Sequence, residues 1–139
     1  MKSKTDPRHL SRIIVIQELF NSEFKNTKSF PTKEIIKLNK NKEYNQSLLE
    51  NILNGIKKNN TKIENIIKKA SLNRSQDKIN TLDMQILKVA VFEGFIGNIT
   101  PPKVAIDEAI EIAKEFGDST SSVFVSGVLG SLIKKTNGE

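Results

Sequence analysis

Apolar side chains return every three or four residues along most of the chain, the period of an α-helix with one buried face. Between residues 8 and 24 they fall at Leu10, Ile13, Ile14, Leu19, Phe20 and Phe24. Asp6 is placed to cap this stretch, and Pro7 suits its first helical position. Pro31 and Thr32 open a shorter segment carrying Ile35, Ile36 and Leu38. Leu48, Leu49, Ile52, Leu53 and Ile56 define another face, and after a polar joint at 58–61 the pattern resumes at Ile63, Ile66, Ile67 and Ala70. A polar stretch at 70–77 marks the best boundary between two halves. Beyond it, Leu82, Ile86, Leu87, Val89, Ala90, Phe92 and Phe95 build a strongly apolar helix that Gly97 and Asn98 end. Isoleucine lowers helix propensity slightly, but burial of a continuous apolar face outweighs tenths of a kcal/mol.

Two more helices follow with their punctuation. Thr100 and Pro101 read as N-cap and first helical residue of a helix through Val104, Ala105, Ala109, Ile110, Ile112, Ala113 and Phe116. Gly117 reads as its left-handed stop. Asp118, Ser119, Ser121 and Ser122 offer caps for a last helix through Phe124, Val125, Val128, Leu129, Leu132 and Ile133. The expectation is an all-α fold of about seven helices in two packed bundles joined by short connections. Residues 1–76 would form an N-terminal helical subdomain with a basic arm, and 77–139 a C-terminal one, together making one compact domain.

Composition narrows the function classes. With no cysteine there is no disulfide, thiolate metal site or cysteine nucleophile, which is compatible with a reducing cytoplasm. The run at 13–16 is too short for a signal-peptide core, and no apolar stretch approaches a membrane span. A cytoplasmic protein is expected. The net charge of +6 is uneven: residues 1–78 hold 17 Lys and Arg against 8 Asp and Glu, and residues 79–139 hold 5 against 8. A basic half can steer toward a polyanion. The lysines between 25 and 69 also fit a plain solvated surface in a lysine- and asparagine-rich chain.

Candidate chemistry is sparse. His9, the only histidine, reads as a surface residue with no partner to orient it as a base. Asp107, Glu108, Glu111 and Glu115 share a helix with Lys103 and Lys114 and read as a solvated, ion-paired face rather than a metal or acid–base site. No dinucleotide or phosphate-loop motif and no metal-ligand spacing occurs. No catalytic residue, metal or cofactor is expected. Binding is better represented. Lys2, Lys4, Arg8, His9 and Arg12 form a basic arm leading into the first helix, where Arg8 and Arg12 stand one turn apart. Phe124 follows the hydroxyl run at 119–122. It reads either as core or, if partly exposed, as a platform for an unpaired base.

The stretch PPKVAIDEAIEIAKEFG and the element Phe124-Val125-Ser126-Gly127-Val128-Leu129 closely resemble the signature of the NusB transcription antitermination family. Arg8, Ser11, Arg12, Gln17, Leu19 and Phe20 resemble the family's opening helix, and the segment at 82–93 resembles its helix ending in a glutamate. The resemblance implies an all-helical, non-enzymatic protein. Such a protein holds boxA-type single-stranded RNA jointly with NusE, a ribosomal protein that doubles as a transcription factor, and joins the RNA polymerase antitermination complex. It implies RNA contacts from Arg8, His9 and Arg12 and from Thr120, Ser122 and Phe124, to which Lys2 and Lys4 of the basic arm add by their charge. It implies a NusE-facing surface of Phe20, Phe24, Leu82, Asp83 and Ile86, with Asp83 exposed. Departures thin the polar reach of the RNA face. His9 and Leu10 stand where arginines are frequent, Val123 where a lysine is often found, Ser126 for an amide and Gly130 for an acid. Two other readings are the helical domain of a ribosomal-RNA cytosine methyltransferase, although these residues contain no cofactor-binding βαβ pattern, and a protein-only adaptor.

Overall fold

The computed structural model describes residues 6–25, 43–71 and 79–136. Within them the chain forms five α-helices and no strand: α1 (Pro7–Lys25), α2 (Gln46–Ala70), α3 (Thr81–Val91), α4 (Pro102–Phe116) and α5 (Ser121–Thr136). A π-helical turn, Phe92–Ile96, extends α3. The expectation of about seven helices is corrected at one place: the two faces on either side of the 58–61 joint belong to one kinked helix, α2. The expected segment around 31–38 lies outside the described residues.

Polar caps set the helix starts. The Asp6 carboxylate accepts from the Arg8 amide at 2.9 Å. Asn45 accepts from Leu48 N–H, and Asn80 from Leu82 and Asp83 N–H. Such a cap is worth about 1 kcal/mol. Ser11, fully buried, ties α1 to the start of α2: its hydroxyl donates to the Asn45 carbonyl and accepts from the Asn45 amide. The caps of α4 differ from expectation. Pro101 is the N-cap and Pro102 the first helical residue, while Thr100 is buried with its hydroxyl turned elsewhere.

Helix α3 packs against all four other helices. One apolar cluster runs through every helix, from Leu10, Ile14, Ile52, Ile56 and Ile67 to Leu87, Ile112, Val125 and Leu129. Each large aliphatic side chain so buried contributes about 1.5–3 kcal/mol relative to exposure.

The kink in α2 falls at Asn59, whose φ of −114° and ψ of 18° leave the helical region. Its side-chain amide donates to the Gly55 carbonyl at 2.8 Å, satisfying the ladder near the break. Lys88 of α3 reaches across, 2.8 Å from Asn60 Oδ1 and 2.9 Å from Glu64, with its own side chain buried. Burial alone would raise the Glu64 pKa. The hydrogen bond and charge of Lys88, helped by Lys68, hold it below the usual value instead. Gly55 is required nearby, because a Cβ there would stand 2.0 Å from the ring of Phe92.

Candidate nucleic-acid interface

At the centre of the fold lies a buried ionic cluster. Arg12 of α1 is 2% exposed. Its Nε donates to both Glu93 oxygens at 2.9 and 3.0 Å, and a second guanidinium nitrogen also meets Glu93. The remaining nitrogen donates to Glu108 of α4 at 2.7 Å. Burial works against the guanidinium charge, but the hydrogen bonds and charges of Glu93 and then Glu108 outweigh it and leave the Arg12 pKa raised. Thr100 donates its hydroxyl to Glu93. His9, also buried, places Nδ1 3.2 Å from Glu108 and Nε2 3.2 Å from Glu115. Carboxylates only accept, so both contacts are hydrogen bonds when both ring nitrogens carry protons.

Three expectations are thereby corrected. Arg12 and His9 are committed to carboxylates inside the protein rather than presented to RNA, and Glu108 faces the interior rather than a solvated helix face. The signal was present in the pattern. Glu108 falls on the same stripe as Ala105, Ala109 and Ile112, all buried, and Arg12 falls between Leu10 and Ile13. A charge on an apolar stripe demands a buried counter-charge.

The joint between α4 and α5 is organised by Asp118. Its Oδ1 accepts from the Thr120 amide at 2.9 Å, the Thr120 hydroxyl at 2.8 Å, and the Ser121 amide at 3.1 Å. The hydrogen bonds from Thr120, followed by those from Ser121, hold the Asp118 pKa below the usual aspartate value. Gly117 is not left-handed as expected: its φ is −90° and ψ −178°. It is needed for closeness, since a Cβ would lie 2.5 Å from the Ser121 side chain. Thr120 is exposed and Ser122 half-buried. Phe124 is 7% exposed and belongs to the apolar core, which corrects the base-stacking expectation. It shares the buried stripe of Ser121, Val125 and Val128, while Val123 beside it faces solvent at 73%.

Part of the expected partner-facing surface lies beside this joint. An open depression of about 360 Å³ is lined by Phe20 of α1, Asn80, Thr81 and Leu82 at the start of α3, Phe116 of α4, and Gly117, Asp118 and Ser121. Phe20 and Leu82 are half-buried, and Phe116 is 47% exposed. Asp83 and Ile86 lie beneath the surface at 3% and 1%, which corrects the expectation that they face a partner. Oδ1 of Asp83 has no hydrogen-bond partner among the described residues. Burial raises its pKa, the neighbouring Ser121 side chain opposes this, and the nearby Asp118 charge adds to it. Arg8 is exposed at the start of α1. Lys2, Lys4 and the Phe24 side chain lie outside the described residues.

This is an all-α protein with a buried Arg–Glu–His cluster and a hydroxyl-rich helix joint beside a half-exposed aromatic and aliphatic depression. It matches the NusB family over residues 9–134, and the chain belongs to that family. It is 33% identical over 131 residues to the transcription antitermination protein NusB of Halothermothrix orenii, covering 91% of this chain and 96% of that protein. Among solved structures it resembles NusB of T. maritima, at 30% identity and a TM-score of 0.75, covering 97% of this chain and 94% of that one. It also shares its fold, at 18% identity and a TM-score of 0.76, with NusB in a complex of antitermination factors NusB and NusE with dsRNA, covering 91% and 96% of the two chains.

Proposed function

We propose that this protein is a non-catalytic transcription antitermination factor of the cytoplasm. It binds boxA-type single-stranded RNA together with NusE and joins the RNA polymerase complex. One observation supports the reading on this chain: Phe20 and Leu82 line one depression with Gly117, Asp118 and the buried Ser121 of the helix joint, so a protein partner seated there would lie next to Thr120 and Ser122 of the same joint. Among the residues expected at the RNA, the accessible Arg8, Thr120 and Ser122 take that role, with Lys2 and Lys4 of the arm. Phe20 and Leu82, with Phe24, take the NusE-facing role. His9, Arg12, Phe124, Asp83 and Ile86, all buried, serve the stability of the fold rather than contact with either partner. The family assignment and the names of the relatives support the reading.

A titration of labelled boxA-type RNA, with and without NusE and across salt, tests it. Affinity should rise with NusE and fall with salt, and Arg8→Ala should make the log–log salt slope shallower by about 0.7, one phosphate contact on a single strand. A wild-type protein that binds no RNA at low salt, even with NusE present, would defeat the proposal.

A further inference from the structure

The kink of α2 creates a second, separate surface. An open depression of about 670 Å³ is lined by Lys57, Lys58, Lys62 and Lys69, with asparagines, Thr61 and Ile66 between them. All four lysines are exposed, and among the described residues no lining residue is acidic. In a straight helix Lys57 and Lys69 would stand about 18 Å apart along the axis. Here both border one hollow at the break.

Lysines on an exposed helix are ordinarily balanced by a carboxylate three or four residues away. Within α2 none of these four has one: those neighbours are Leu, Asn, Gly, Thr, Ile or another Lys. Lys58 and Lys62 stand on either side of the break at Asn59 and line the same hollow. Glu64, two residues from Lys62, is drawn inward by Lys88, 2.9 Å away. Among the described residues the result is positive charge without a paired acid over a concave, hydrogen-bonding surface. None of the described lining residues is aromatic, so they offer nothing for base stacking.

We propose that this kink is a second RNA-contact surface, in which Lys57, Lys58, Lys62 and Lys69 hold the phosphate backbone of single-stranded RNA without reading its sequence. It rests on the RNA-binding reading above and adds to it a region that neither the basic arm nor the hydroxyl joint includes. A surface of lysines and amides positions a strand through its phosphates, while sequence is read elsewhere.

The test replaces all four lysines by glutamine and titrates two labelled single strands of equal length, one boxA-type and one unrelated, with NusE present and across salt. The log–log salt slope should become shallower by up to about 3, at about 0.7 per lost phosphate contact. Both RNAs should weaken by the same factor. Lys134→Gln with Lys135→Gln, exposed on α5, is the control for net charge and should change the slope less per charge removed. If the fourfold variant loses its helical circular dichroism, Lys58→Gln with Lys62→Gln carries the same test at half the slope change. A wild-type slope in the folded variant, a loss confined to boxA-type RNA, or an equal loss per charge in the control would each overturn the proposal. Those outcomes leave the function above intact, whereas wild-type protein binding neither RNA would overturn both.

Discussion

Arg12→Ala removes the cation that two buried carboxylates share. Glu93 would keep its hydrogen bond from Thr100 and Glu108 its contact with His9, so neither oxygen pair is stranded completely. Both nevertheless lose a guanidinium that donates to Glu93 at 2.9 and 3.0 Å and to Glu108 at 2.7 Å, at sites 1% and 2% exposed. Removing one partner of a buried ion pair costs roughly 3–5 kcal/mol. Against a total stability of about 5–15 kcal/mol, that leaves a folded but weakened protein. The thermal midpoint should fall by roughly 10–20 °C for a chain of this size. Urea unfolding followed by helical circular dichroism measures the loss. Arg12→Lys keeps the charge but not the planar fork, and should lose a smaller share. RNA affinity of the folded Ala variant should stay near wild type. A stability loss under about 1 kcal/mol together with a clear drop in RNA affinity would refute the reasoning, because it would mean the guanidinium works at the surface.

Two further outcomes are expected. Phe124→Ala should cost about 3–5 kcal/mol in urea unfolding, the usual loss for a buried phenylalanine, with RNA affinity retained by the folded fraction; the reverse pattern would return Phe124 to the RNA surface. The folded pKa of Asp83 lies above its ordinary value, so its contribution favours folding in acid and is lost as pH rises through the folded value. Unfolding of wild type and Asp83→Asn across pH 3 to 7 should therefore show the difference moving in the variant's favour as pH rises, and a pH-independent difference would refute this.

The helical plan was legible because burial of a continuous stripe leaves a period in the sequence. The stripes on α2 and α5 match the buried residues apart from the half-buried Ile66 and Ile133, whereas on α1 Val15 and Ile16 are buried off the expected face and on α4 Val104 and Phe116 are exposed. The kink at Asn59 was legible only as a polar joint, because a helix that bends and a helix that stops look alike when no apolar residue is lost. The site was read less well. Arg12, His9, Glu93 and Glu108 come from α1, the π turn and α4, and a contact such as Arg12 to Glu108 spans 96 residues. Charged residues enter a periodicity argument as solvent-facing, so that argument placed Arg12 and Glu108 on the wrong side. Phe124 and Asp83 failed differently. Each stands near a helix start, where exposure is the usual case, but each is covered in the packed fold.

Glu93 has one more consequence. Its main-chain carbonyl accepts from the amides of Ile99 and Thr100 at 3.0 and 3.2 Å, while its side chain takes the Thr100 hydroxyl and the Arg12 guanidinium. One residue thus closes the connection between α3 and α4 from both its backbone and its carboxylate. Surface connections ordinarily absorb an added or deleted residue at little cost. This one has no such slack. A change of one residue between 93 and 100 would withdraw the amides and the hydroxyl together and leave the central ion pair short of a donor. The length of this loop is set by the charge at the heart of the fold.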